Sequence, residues 1–285
     1  MIWVILSILA GLGDAISFAL IRKLNKLDTY AKLAFYSLMA LPFLLFGFLF
    51  YEVPSVSAYF YFIVIANVIV WSIAIFLLMK SLESSELSSS IPILSFTPIF
   101  LLLVSYMLLQ EFPSSQGLLG ILIIVIGSYI LNISSIKSGY FEPIKSIFIK
   151  KGHYMLIAAF LFSITASLAK IGINLSNPAY FMFMHYSFTS LVLTVLFFNK
   201  IKENRNQIKI NFKYFLAIGI AVACSELLIA TAIKFAIVPY VISLKRSSVV
   251  FSVLIGFLFF REKNFNQAVI GAIIMFIGAL LITLS

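Results

Sequence analysis

Apolar residues run in blocks along the whole chain. Ten stretches of roughly helix-crossing length are separated by short polar gaps, at 2–21, 31–50, 58–79, 87–109, 117–134, 153–173, 178–198, 212–233, 237–260 and 267–284. A span crossing a bilayer as a helix needs about 20 mainly apolar residues, whereas a barrel strand needs about 10 with strict alternation. Ile121 to Ile126 and Phe43 to Phe50 do not alternate, so the pattern predicts an all-α membrane protein of ten transmembrane helices. The first span lacks the basic start and small-residue cleavage site of a signal peptide, and so is expected to stay as a helix. The longest gaps, 135–152 and 199–211, leave no room for a soluble domain.

A repeat lies beneath these blocks. Span four and the helix after it read SSIPILSFTPIF and LLQEFPSSQGLLGILIIVIGSYIL, while span nine and its successor read YVISLKRSSVVF and LFFREKNFNQAVIGAIIMFIGALLI. Glu111 and Glu262, Gly120 and Gly271, and Gly127 and Gly278 all keep one offset of 151 residues. Three landmarks in one register indicate a duplicated five-helix unit, 1–134 and 153–285, joined by a basic connection at 135–152. Because five is odd, the second copy enters the membrane from the opposite side, giving two inverted repeats of the kind transporters use for alternating access.

Composition agrees with a membrane setting, since 62% of the 285 residues are hydrophobic and 11% charged, against about 45–50% and 25% in soluble domains. The net charge of +10 could serve nucleic acid, but the basic residues fall in the gaps between spans, where topology accounts for them. No nucleic-acid partner is expected. The single cysteine, Cys224, excludes a disulfide framework and a zinc cluster, and no metal or cofactor is implied.

With the duplicated unit, the acidic residue after the fourth helix of each half and the Gly-x6-Gly helix that follows it, the chain resembles the EamA family of the drug/metabolite transporter superfamily over essentially its whole length. SFTPIF at 95–100 and YVISLKRSS at 240–248 resemble a subgroup with no assigned substrate. The resemblance implies a multi-pass carrier of small metabolites in the plasma (cell inner) membrane, with a central cavity between the halves. It also implies that both termini lie inside. The charge count says otherwise. Sixteen Lys and Arg fall on the side opposite the N-terminus and only Lys170 and Lys234 on the N-terminal side, which puts both termini outside by the positive-inside rule.

Charged groups inside spans are costly and usually mark function. Glu226 lies seven residues before the end of span eight and Lys245 eight after the start of span nine, so an antiparallel pair brings them to one depth. Lys245 and Arg246 point about 100° apart on a helix, so one can neutralise Glu226 while the other offers an anion site. Ser247, Ser95 and Asn67 are its expected neighbours, with a structural ion pair as the alternative. Asp14 heads a stripe of Ser7, Gly11 and Ser17, and is a candidate for proton or ion coupling. Its Gly11-Leu12-Gly13-Asp14 context matches an intramembrane aspartyl protease pattern, but no other span holds the second aspartate such chemistry needs. Trp71 shares a helix face with Asn67, and His185 sits one turn from Thr189; both are candidate cavity residues. Pro92 and Pro98 predict a broken span four, where transporters tend to bind substrate. The residues therefore predict a secondary transporter of small organic solutes, amino acids among them, as a monomer or weak dimer. The competing readings are an intramembrane enzyme, which lacks a nucleophile and base, and a channel, which does not need an inverted repeat.

Overall fold

The computed structural model describes residues 1–24, 26–84, 91–133, 152–260 and 265–285, and among them every regular element is a helix, with no strand. The first half contains α1 (Ile2–Lys23), α2 (Thr29–Leu44), α3 (Ala58–Ser84), α4 (Thr97–Leu109) and α5 (Ser115–Ile133). The second contains α6 (Gly152–Leu175), α7 (Pro178–Leu196), short amphipathic α8 (Phe198–Glu203) and α9 (Arg205–Ile210), then α10 (Phe212–Phe235), α11 (Val238–Lys245), α12 (Ser247–Phe260) and α13 (Phe265–Thr283). Seven helical spans are long and apolar enough to cross a membrane, with three shorter apolar helices at Ile93–Leu109, Ser115–Leu131 and Val269–Thr283. Ser88, Glu262 and the connection at 134–151 lie outside the described residues.

Local chemistry sets the ends and breaks. Asp28 caps α2 by accepting from the Tyr30 and Ala31 amides at 2.9 and 3.2 Å, and Asn177 caps α7 by accepting from Tyr180 at 2.9 Å with Pro178 in the first turn. Pro42, inside α2, removes a backbone donor, and the span finishes as a 3-10 turn, Leu45–Leu49. Span four starts as a 3-10 turn, Ile91–Phe96, that contains Pro92, before α4 begins with Pro98 in its first turn. Span nine breaks at Arg246 into α11 and α12. Both breaks fall at equivalent places in the repeat.

The helix packing is preserved when the halves are exchanged. α1 packs on α10 as α6 packs on α3, α1 lies along α11 and α12 as α6 lies along the 3-10 turn and α4, and the symmetric partners α2 with α7 and α5 with α13 meet each other. At the last contact the glycines pair antiparallel. A Cβ at Gly120 would lie 2.7 Å from the Gly278 carbonyl, and one at Gly127 would lie 2.8 Å from that of Gly271. Small residues allow this backbone approach, as in membrane helix pairs generally. One core joins α1, α2, α3, α6, α7, α10 and α11, around Phe60, Phe181 and Phe215, and a second fills the space about Ile121, Ile124 and Met275. Large apolar side chains such as Phe50, Leu196 and Phe259 stand outward, as a lipid-facing surface requires.

Candidate functional site

Four charged side chains meet where α1, α10 and the break after α11 converge. Lys245 Nζ lies 3.2 Å from Asp14 Oδ2 and 3.4 Å from Glu226 Oε1. These three side chains are at most 19% exposed. Ser225 Oγ is 2.5 Å from Asp14 Oδ1 and 2.8 Å from the Ala10 carbonyl, binding α10 to α1 beside the ion pair. The trio is thus one lysine held between two acids from different helices.

Arg246 is placed differently. It makes none of the ion pairs, and its Nε, like the Ser247 Oγ next to it, is buried without a hydrogen-bond partner. Both sit at the break, where the helical ladder is replaced by tight turns, Arg246 N to the Ser243 carbonyl at 3.2 Å and Val249 N to the Arg246 carbonyl at 3.0 Å. α1 comes up against this break at Gly11, where a Cβ would meet Ser247 Oγ at 2.6 Å and the Lys245 carbonyl at 2.9 Å. The stripe on α1 is thus a contact surface. Gly13 lies against Ser225, while the Ser7 and Ser17 hydroxyls donate to the Trp3 and Asp14 carbonyls of their own helix at 2.7 and 2.8 Å.

The other expected residues have partners of their own. Asn67 Nδ2 donates to the Thr165 carbonyl at 2.7 Å and Ser95 Oγ lies 2.9 Å from Ser128 Oγ, so each takes part in helix packing. Trp71 packs edge-on against His185 at 5.9 Å. His185 is buried with Phe181 stacked at 6.2 Å, its Nε2 is 3.5 Å from Thr189 Oγ1, and its Nδ1 has no partner. An apolar cavity of about 230 Å³ opens elsewhere, between Tyr30, Leu33, Ser72, Phe76 and Leu193 of α2, α3 and α7. No group of three metal-ligating side chains occurs among the described residues.

A second ionic cluster was not anticipated from the sequence, where Glu111 served only as a repeat landmark. Lys170 of α6 lies 3.2 Å from Glu111 Oε1 and donates to the Ile233 and Ala236 carbonyls at 2.5 and 2.8 Å. Glu111 Oε2 accepts from the Val238 amide at 2.9 Å. A signal was available, since Lys170 stands three residues before the end of its span, at 153–173.

With this geometry in place, comparison with known proteins identifies the chain. The EamA-like transporter family matches it twice, over residues 1–133 and 151–284. The chain belongs to that family. It is therefore a multi-pass membrane transporter whose partners are the bilayer and a small-molecule substrate. A solved structure titled "Crystal structure of protein" aligns with 99% of this transporter and 97% of its own chain, at a TM-score of 0.76 and 12% identity, and so shares the fold. No curated protein matches the sequence.

Proposed function

We propose that this transporter is a secondary carrier of small anionic or zwitterionic organic solutes, amino acids among them, working by alternating access between inverted halves 1–134 and 153–285. The seven long spans and three shorter apolar helices support ten crossings, and the exchangeable packing of the halves supports inversion. No P-loop sequence is present to draw on ATP, so the drive is an ion gradient or the solute's own gradient. The plasma membrane is the proposed site, with the carrier as a monomer or weak dimer.

The observation that carries the reading is the unpartnered Arg246 Nε and Ser247 Oγ at the break of span nine, beside a lysine already held by two acids. A buried donor without a partner is costly, and a carboxylate entering at this break would satisfy both groups. Asp14 and Glu226 then hold Lys245 in place and are the groups available to exchange a proton during the cycle. His185, with an unpartnered Nδ1 in an aromatic setting, and its neighbour Trp71 are proposed to contact the rest of the solute.

Counterflow in proteoliposomes tests this reading. Carboxylate solutes that stabilise the purified protein should exchange saturably, and Arg246→Gln should abolish that exchange. Non-saturable flux would favour a channel, and chemical turnover of the solute would favour an enzyme.

A further inference from the structure

We propose that Glu111 and Lys170 form a latch that shuts the membrane face carrying the two chain ends, and that α11 is the element it releases. This rests on the alternating-access reading above. The latch joins four parts of the molecule. Glu111 comes from the turn after α4 in the first half, Lys170 from α6, the carbonyls of Ile233 and Ala236 from the end of α10, and the Val238 amide from the start of α11. The Lys170 ammonium has three donors and three acceptors around it, so its hydrogen-bonding capacity is filled. The charges also suit the helix ends, with a cation at the carbonyl end of α10 and an anion at the amide end of α11.

Two further features point the same way. Gln110 is in the left-handed region at φ 56°, the only non-glycine at positive φ among the described residues. That conformation is disfavoured for residues other than glycine, and here it turns Glu111 back into the bundle while Ser105 holds the turn through its hydroxyl and carbonyl. Tyr240, one turn into α11, also accepts from the Ser114 amide at 3.0 Å and from Ser285 Oγ at 3.1 Å. The same turn thus grips α11 twice.

α11 is a rod of eight residues, about 12 Å long at 1.5 Å per residue. Its first residue is held by Glu111, and its last is Lys245, the centre of the ion trio. The break at Arg246 is a hinge between it and α12. When the latch opens and α11 tilts, Lys245 moves relative to Asp14 on α1 and Glu226 on α10. Latch and charge cluster therefore share one moving part, and an anion bound at the break biases both.

The test replaces the exposed Cys224 by Ser and introduces Ser243→Cys, a fully buried position on α11. Maleimide labelling of the folded protein in detergent then reports how often α11 lifts. Glu111→Gln should speed labelling about tenfold, equivalent to about 1.4 kcal/mol of lost closure. Lys170→Met should match it, and the double variant should add little, because both act through one contact. Labelling no faster than in the parent overturns the latch. Should the variants fail to fold, hydrogen exchange on the unmutated protein decides. The amides of Val238 and of residues 240–244 should exchange as one block, about tenfold faster than those in the middle of α10, in keeping with a locally opening unit. Protection equal to that of α10 overturns the proposal. Unchanged labelling with normal counterflow removes the latch and leaves the carrier reading standing. Faster labelling without counterflow in the parent removes the carrier reading and keeps the latch.

Discussion

At the residue scale, Lys245 and Arg246 are neighbours with opposite duties. Lys245 lies between Asp14 and Glu226 at 3.2 and 3.4 Å, so Lys245→Gln leaves two carboxylates facing each other without a cation. Breaking a buried pair by removing one partner costs about 3–5 kcal/mol, and loss of folded protein on heating in detergent should register it. Arg246→Gln removes a group with no ion partner, so melting should stay close to the parent while exchange of carboxylate solutes is lost. An equal drop in melting for both variants would show that Arg246 is scaffolding too. The sequence assigns the reverse roles as readily, because helix depth alone brings either cation to Glu226. What depth arithmetic cannot supply is Asp14, which joins the pair only because Gly11 and Gly13 let α1 settle against the break and α10. Glu111 was legible as a landmark and not as a ligand of Lys170, since its side chain is aimed by one left-handed residue, Gln110, whose conformation no spacing reveals.

Among the elements, the long helices are the most legible because their apolar blocks must match the bilayer thickness, and their ends in the structure fall within a few residues of the pattern. The breaks are less so. Pro92 and Pro98 announce the 3-10 start of span four, but nothing at Arg246 carries such a mark, and span nine reads as one continuous helix until α1 is seen pressing on it. The Gly-x6-Gly motif reads as close packing, and the structure shows why its spacing is seven. In α5 and α13 the glycines are two turns apart on one face, and the two pairs meet in antiparallel register. Gly120→Ala should therefore be felt, because its Cβ would sit 2.7 Å from the Gly278 carbonyl and 3.0 Å from the Ile282 amide, backbone atoms that a rotamer change cannot move. A loss of about 1–3 kcal/mol is expected from such overpacking. Gly278→Ala should do the same from the opposite helix, with Ile124 in the place of Ile282, and thermal unfolding of the two variants should give similar losses. Wild-type melting for both would mean that α5 and α13 separate more easily than their contact implies.

For the whole molecule, the halves exchange their contacts, yet basic charge is divided unequally between the two faces, and that asymmetry predicts the orientation. The basic helices α8 and α9 lie on the face opposite the chain ends, the side to which the sequence assigns sixteen cations. The face carrying the chain ends has Lys170, occupied by Glu111 and two carbonyls, and Lys234, which lies 5.9 Å from the Tyr51 ring. Lys170 is buried and does little at a membrane surface, so the bias in exposed charge is stronger than the sequence count alone. Short loops rich in Lys and Arg are retained in the cytoplasm, and on that rule α8 and α9 are predicted to lie inside and the Glu111–Lys170 pair at the outer face. The prediction is that an impermeant thiol reagent on intact cells labels a cysteine at Ser55 and not one at Asn206, both exposed positions, in a protein lacking Cys224. Permeabilisation should then make Asn206→Cys reactive. Labelling in the reverse order would place the latch on the cytoplasmic side, and the carrier would load from outside in the conformation described here only after its opposite face had opened.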